Sequence, residues 1–189
     1  MELHHLLGTI ASGFARTIKS LVKYVLVARE GGPAMIGFMS VEAQAEMDFD
    51  RARRRAFYGR MAARLRRECS RLLAFEEAVE GRSAHNRRRL GLRDVELSKI
   101  VGSVGRTEVF DRGFMPTKPS LEERWKRVDR AFHRGLDLPA VRLYKMSDSY
   151  FVEDGNHRVS VARYHRVGTI EAEVTEVFPL YRAHSGWAA

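Results

Sequence analysis

The sequence predicts an α+β protein, a small β-sheet with helices, preceded by a long and strongly basic α-helix. Three observations predict this. Apolar residues recur at helical spacing from Ser40 to about Glu80. Short runs between Val141 and Thr175 alternate apolar and polar residues as half-buried strands do. Helix-start and helix-stop signals bound the segments between them.

The bulk properties set limits. A chain of 189 residues with 44% hydrophobic residues and ten phenylalanines is globular and long enough for one good core. The formal charge of +9 is uneven: residues 1–93 hold 18 Lys/Arg against 10 Asp/Glu, and residues 94–189 hold 15 against 14. Any surface for a polyanion therefore belongs in the N-terminal half. A single cysteine, Cys69, excludes an internal disulfide and a Cys-based zinc site, and a reducing cytoplasm is the simplest setting. No apolar run approaches the ~20 residues of a membrane span. Arg16, Lys19 and Lys23 also spoil a secretion signal.

Residues 3–29 place Leu3, Leu6, Leu7, Ile10, Phe14, Ile18, Leu21, Val22 and Val25 mostly three and four apart, as one amphipathic helix. It reads as a membrane-surface helix, as a helix packing on the domain, or as a segment that is not translated. The last reading comes from Arg29-Glu30-Gly31-Gly32, which a purine-rich run of bacterial ribosome-binding type can encode just before Met35. Translation from Met35 or Met39 would leave residues 1–34 outside the protein, and the intact mass of natively expressed protein decides it.

From Ser40 one long helix is expected, capped by Ser40, with Glu42 and Glu46 in its first turns and Gly81 at its end. Ala45, Phe49, Ala52 and Ala56 lead into Phe57, Met61, Leu65, Leu72, Glu76 and Val79 as a seam with helical spacing. Arg51, Arg53, Arg54, Arg55, Arg60, Arg64, Arg66, Arg67 and Arg71 are nine arginines in 21 residues, opposed only by Glu68. Such a face could track a nucleic-acid backbone through Arg51, Arg53, Arg54, Arg55, Arg60, Arg64 and Arg67. It equally reads as a solvated face whose arginines pair with Asp48, Asp50, Glu76, Glu77 and Glu80. No aromatic residues interleave as a base-stacking platform, so contact with DNA or RNA would be non-specific. Arg87, Arg88 and Arg89 extend the basic surface into a loop.

Residues 94–101 have the alternation of a strand, followed by Gly102-Ser103-Val104-Gly105-Arg106. Gly102, Ser103, Gly105 and Arg106 make either a wall for an anion or an ordinary turn. Asp111 to Pro116 is an ordered loop. Pro119-Ser120-Leu121-Glu122-Glu123 starts a helix with Ser120 and Glu123 in capping-box spacing. Trp125 belongs to its apolar face, Gly135 closes it, and His133 sits on the surface at its end. Val141 and Leu143 alternate in the next strand, Met146-Ser147-Asp148-Ser149 turns the chain, and Tyr150-Phe151-Val152 returns. Ile170, Ala172 and Val174 make a last strand.

The chain is organised around Glu153-Asp154-Gly155-Asn156-His157-Arg158. A helix beginning at Asn156 would present unpartnered N–H groups and the positive end of its dipole, which attract phosphate. Gly155 would allow close approach, and His157 and Arg158 would add side-chain donors. Asp-Gly between alternating apolar residues also signals a hairpin, with Val159 and Val161 on the return strand. Gly168, after Arg163, His165 and Arg166, suits a helix stop.

The run Leu138 to Lys145, then Tyr150-Phe151-Val152, then Asp154-Gly155-Asn156-His157-Arg158, resembles the ParB/sulfiredoxin superfamily over roughly Asp94 to Val177. The resemblance implies a small mixed β-sheet with helices of ParB N-terminal-like type. It puts Gly155, Asn156, His157 and Arg158 on a phosphate-binding turn at a helix start, with Gly102, Ser103, Gly105 and Arg106 across from them. It implies ATP or CTP with Mg²⁺ as ligand and NTP hydrolysis or phosphoryl transfer as activity. Asp154 and Glu153 are then the local candidates for metal and proton handling, and Asp111 a remote one.

The chain departs from the family in places. Asn156 stands where sulfiredoxins carry their reactive cysteine, so that reaction is not expected. Nothing like the helix-turn-helix of a partition protein follows Val177. The free serine kinases, a further branch, use a similar Asp-Gly-x-x-Arg box. Some relatives are nucleases, but no metal-ligand cluster is legible in the spacing. The expected organisation is an amphipathic segment at 1–34, a basic helix and loop at 40–93, the ParB/sulfiredoxin-like domain at 94–178 and a tail at 179–189. The alternative function is a DNA-associated regulatory or partition-related protein acting through the arginine helix.

Overall fold

A computed structural model of the chain describes residues 39–79 and 85–179. Backbone contacts divide the chain between Met39 and Ser40, and every element below belongs to the unit beginning at Ser40. The segment 1–34, with its start-site reading, and the tail from residue 180 lie outside the described residues.

Helix α1, Val41–Arg66, starts as expected: the Ser40 hydroxyl accepts the N–H of Ala43 at 3.2 Å, and Glu42 lies in the first turn. It ends far short of Glu80. Arg67 adopts a left-handed φ of 56° and its N–H bonds the carbonyls of Ala63 and Arg64. A non-glycine residue rarely takes this conformation, so no residue type near Arg67 signals the stop. Ala45, Phe49, Ala52 and Ala56 are buried as expected, but the seam continues to Ala63. Phe57, Met61 and Leu65, expected on it, are 52%, 54% and 83% exposed.

Six strands follow: β1 Leu73–Ala74, β2 His85–Glu96, β3 Ile100–Ser103, β4 Val141–Met146, β5 Ser149–Asp154 and β6 Thr169–Pro179. They form one mixed sheet in the order β1-β3-β5-β4-β6-β2. The β4–β5 and β2–β6 pairs are antiparallel, and β1–β3, β3–β5 and β4–β6 are parallel. Parallel neighbours need a crossover, and helices α3, Glu122–His133, and α4, Asn156–Tyr164, supply two of them. A short helix α2, Phe75–Val79, follows β1. The protein is thus an α+β fold with a long first helix and a mixed sheet.

Three expectations are corrected. Arg87, Arg88 and Arg89 lie in β2, not in a loop, so an ordered strand runs through the boundary expected at residues 93 and 94. The strand expected at 94–101 is two strands, because a 3₁₀ turn at Leu97–Lys99 buries Leu97 between them. The capping box before α3 does not form: a 3₁₀ turn at Pro119–Leu121 leads in, and Leu121 occupies the cap without a side-chain bond.

Alternation on the strands places two cores on opposite sheet faces. Val141, Leu143, Val152, Ala172 and Val174 face Val159 and Ala162 of α4. Tyr144, Phe151 and Val177 face Phe75 and Val79 of α2. Beyond α4, Phe49, Ala52 and Ala56 of α1 meet fully buried Trp125 of α3 and Val161 of α4. Trp125 donates its indole N–H to the buried Ser160 hydroxyl at 2.9 Å. Helix α4 is therefore buried on both sides, with Asn156 and His157 in its first turn among the buried residues.

The outer helices are also joined by charge. His133, expected on the surface, contacts Asp48 of α1 at 3.0 Å and is three-quarters buried. Burial raises the Asp48 carboxyl, but hydrogen bonds from His133, Tyr164 and Gln44 outweigh it and bring it down to about 2. The carboxylates of Asp129 and Asp48 beside its ring push His133 up to about 9.

Candidate functional site

Helix, not hairpin, follows the Asp-Gly pair. Gly155 takes the N-cap position of α4 with φ 104° and no side chain caps the helix. Two constraints select glycine there: the left-handed backbone, and the packing, since a Cβ would stand 2.6 Å from Val141 Cγ1. The helix ends at Tyr164, and Arg166 rather than Gly168 takes the left-handed position after it, with φ 54°.

Leu138, Pro139, Gly155, His157, Arg158 and Arg124 are among the residues that line a cavity of about 380 Å³ at this helix start. His157 is 7% exposed and its Nδ1 has no hydrogen-bond partner among the described residues. Burial, with the charges of Arg124 and Arg106, lowers it to about 4, so the ring is neutral near pH 7. Its ring stands edge-on to Phe110 at 5.5 Å. Asn156 is buried, its Oδ1 has no hydrogen-bond partner among the described residues, and it does not line the cavity.

The two charged ends of the box are tied to each other. Arg158 donates to Asp154 Oδ2 at 2.8 Å and to the carbonyls of Pro139 and of Ala140, the latter at 2.9 Å. Glu153 accepts the Tyr144 hydroxyl at 2.6 Å. Tyr144 packs on Phe75, on the sheet face away from α4. Glu153 and Asp154, adjacent in sequence and expected to act together, are thus separated by the strand's alternation.

The second wall reduces to one residue. A Cβ on Gly102 would lie 2.3 Å from the Leu73 carbonyl, so this glycine lets β1 approach β3. Ser103 is fully buried and donates to the Val152 carbonyl at 3.1 Å. Gly105 turns the chain with φ 70° in open space. Arg106 is exposed, and its charge is felt at His157.

A larger cavity of about 590 Å³ opens elsewhere, where Arg55, Arg60 and Arg66 of α1 face Arg112, Arg163 and Arg166. Arg163 is fixed by the carbonyls of Leu97 and Ile100, both at 2.6 Å. Asp111 lines this cavity, not that at α4, and receives the N–H groups of Gly113 and Met115 at 2.9 and 2.8 Å. Burial raises its carboxyl despite those bonds and the charges of Arg60 and Arg163. The remaining arginines of the face divide: Arg51 contacts Asp48 at 3.5 Å and Arg53 is half-buried, while Arg54, Arg64 and Arg67 are exposed. Sequence reasoning missed Arg112, Arg124 and Arg166 as members of basic cavities. Each lies far along the chain from most of the residues it meets, and only the fold brings them together.

No protein-family model matches the sequence, and no curated protein matches it. Among solved structures, the crystal structure of sulfiredoxin from Arabidopsis thaliana is similar, with a TM-score of 0.32 and 20% identity over 44% of this chain and 82% of that one. At that level it is a distant structural likeness and carries nothing about activity. Among the described residues no helix is long and apolar enough to cross a membrane.

Proposed function

We propose that the start of α4 binds the phosphates of a nucleotide, ATP or CTP, together with Mg²⁺. The observation that carries this reading is a buried helix N-terminus with no side-chain cap, opening on a cavity of about 380 Å³. The first N–H groups of such a helix have no partner within it, and an anion is the group that suits them. His157 Nδ1 is a second unpartnered group at the same place. Arg106 and Arg124 supply positive charge, since both depress the protonation of His157.

In this reading Arg158 and Asp154 act as a frame more than as ligands. Their mutual bond leaves Asp154 Oδ1 as the carboxylate oxygen for a Mg²⁺ that keeps several of its waters and is otherwise held by the phosphates. Glu153 faces the other side of the sheet and takes no part. The reading is one of binding; Asp154, the carboxylate among the described cavity residues, is bonded to Arg158 through Oδ2, and hydrolysis or phosphoryl transfer would need a proton acceptor besides.

Calorimetric titration of ATP and CTP with Mg²⁺ into the full chain and into Arg106→Ala/Arg124→Ala tests it. Saturable binding that weakens roughly tenfold or more in the variant is expected, as for loss of charge-assisted phosphate bonds. No binding by the wild type, or equal binding by the variant, refutes it.

The cavity of six arginines favours a second reading, non-specific DNA or RNA binding through α1. Each phosphate neutralised by an arginine releases counterions. Replacing Arg54, Arg55 and Arg60 by glutamine should therefore flatten the salt dependence of DNA affinity, by roughly one unit of log–log slope for each phosphate no longer neutralised. An unchanged slope counts against it.

A further inference from the structure

Away from the box, four side chains from three helices converge. Asp48 comes from α1, Asp129 and His133 from adjacent turns of α3, and His165 from the C-cap that follows α4. One imidazole nitrogen or carboxylate oxygen from each lies within 4.8 Å of all the others. His165 Nε2 is 2.7 Å from Asp129 Oδ1, and His133 Nε2 is 3.0 Å from Asp48 Oδ2 and 3.3 Å from Asp129 Oδ2.

Protons alone satisfy this arrangement poorly. An imidazole Nε2 carries at most one hydrogen, yet His133 Nε2 stands between two carboxylate oxygens. Asp129 is fully buried, and among the described residues its Oδ2 makes no hydrogen bond, the His133 contact at 3.3 Å being an ion pair alone. A buried carboxylate oxygen lacking a donor is unfavourable, and one cation among the four groups would serve both acids together.

We propose that Asp48, Asp129, His133 and His165 bind a first-row divalent transition-metal ion of the Zn²⁺ class, which fastens the arginine-bearing α1 to α3 and α4. Two imidazole nitrogens with two carboxylate oxygens suit such an ion better than Ca²⁺ or Mg²⁺, which take oxygen shells. Around a tetrahedral ion with bonds of ~2.0–2.1 Å, ligand atoms stand about 3.3 Å apart. With one oxygen taken from Asp129, its contact with either His165 (Oδ1) or His133 (Oδ2), together with the His133–Asp48 contact, is already near that spacing, and the wider pairs would close in around the ion.

The surroundings orient these ligands. The Tyr164 hydroxyl donates to Asp48 Oδ1 at 2.7 Å, and Gln44 Nε2 donates to Asp48 Oδ2 at 3.1 Å. Phe132 stacks on the His165 ring with centroids 4.2 Å apart and planes 10° from parallel. Such outer partners fix ligand orientation at metal sites. Arg51 Nη1 lies 3.5 Å from Asp48 Oδ1 on a side chain half exposed to solvent, so it can swing outward as a metal cation takes its place.

The test strips the purified full chain with a chelator, then adds Zn²⁺ under calorimetry and Co²⁺ under visible spectroscopy. One equivalent of each is expected, with the strong absorption of four-coordinate Co²⁺. Asp129→Asn and His165→Gln should weaken binding roughly tenfold or more with the far-ultraviolet dichroism preserved. A measurement on the wild type needs no variant to fold: Zn²⁺ should shift the ring resonances of His133 and His165 and leave those of His157 in place. No saturable binding, full affinity in folded His133→Gln/His165→Gln protein, or shifts at other histidines instead would each overturn the proposal.

Discussion

Arg158 and Asp154 are joined at 2.8 Å across the first turn of α4, while the arginine also holds the carbonyls of Pro139 and Ala140 that lead into β4. The guanidinium therefore fixes a loop to a helix start. Arg158→Ala should lower unfolding stability by about 2 kcal/mol, the scale of hydrogen bonds to a charged group. Urea denaturation should show that loss, whereas Arg106→Ala/Arg124→Ala should stay within about 0.5 kcal/mol of wild type, as exposed substitutions usually do. Equal losses would mean that Arg158 is not a strut.

His157 makes the protein sensitive to acid. Its folded-state value, near 4, lies below the unfolded value near 6.5. Between these the unfolded chain binds the extra proton, so stability falls as pH drops from about 6.5 toward 4. That difference corresponds to a loss of up to about 3 kcal/mol. His157→Phe should flatten the pH dependence of the urea midpoint in that window, and an unchanged profile would assign the loss to other groups.

Trp125 and Ser160 form an internal pair at 2.9 Å. Ser160→Ala leaves the indole N–H buried without an acceptor and should cost about 1–3 kcal/mol. Removing the donor as well, in Trp125→Phe/Ser160→Ala, should give a coupling energy of about 1 kcal/mol in a double-mutant cycle. Additive losses would show that the bond contributes nothing.

The end of α1 is strained. Arg67 holds φ 56°, where glycine is at ease and other residues are not. Arg67→Gly should stabilise the protein by about 0.5–1 kcal/mol, provided the backbone relief exceeds the added freedom of the unfolded chain. A lower melting temperature would show that the arginine side chain makes a larger contribution.

Residues whose own chemistry demanded a conformation were legible in advance. Val141 to Val152 marked a hairpin and the spacing around Trp125 marked a core helix, whereas Gly155 read equally as a helix start or a hairpin turn until the family resemblance favoured the helix that α4 is. What could not be read was set by tertiary context. The close of α1 rests on an arginine forced left-handed, and β2 looked like a basic loop because its arginines sit on an exposed strand at the sheet's rim. The site was legible only in its backbone. Sequence placed Arg158 as a phosphate ligand, but the carbonyls that claim it become visible only when β4 is positioned. Asp48 and His165 lie far apart along the chain, and their meeting depends on how α1 crosses the other helices.

The sheet's outermost long strand, β2, is twelve residues and, among the described residues, pairs on one side alone, with β6. A strand of that length at a sheet edge invites another chain to extend the sheet. Arg87, Arg88, Arg89 and Arg93 along it, with the register irregularity between Arg89 and Gly91, oppose this. The four arginines outnumber Asp94 and Glu96 on the strand, so a second copy laid alongside would meet a net like charge, and the basic run that resembles a nucleic-acid feature also works against pairing of two copies through this edge.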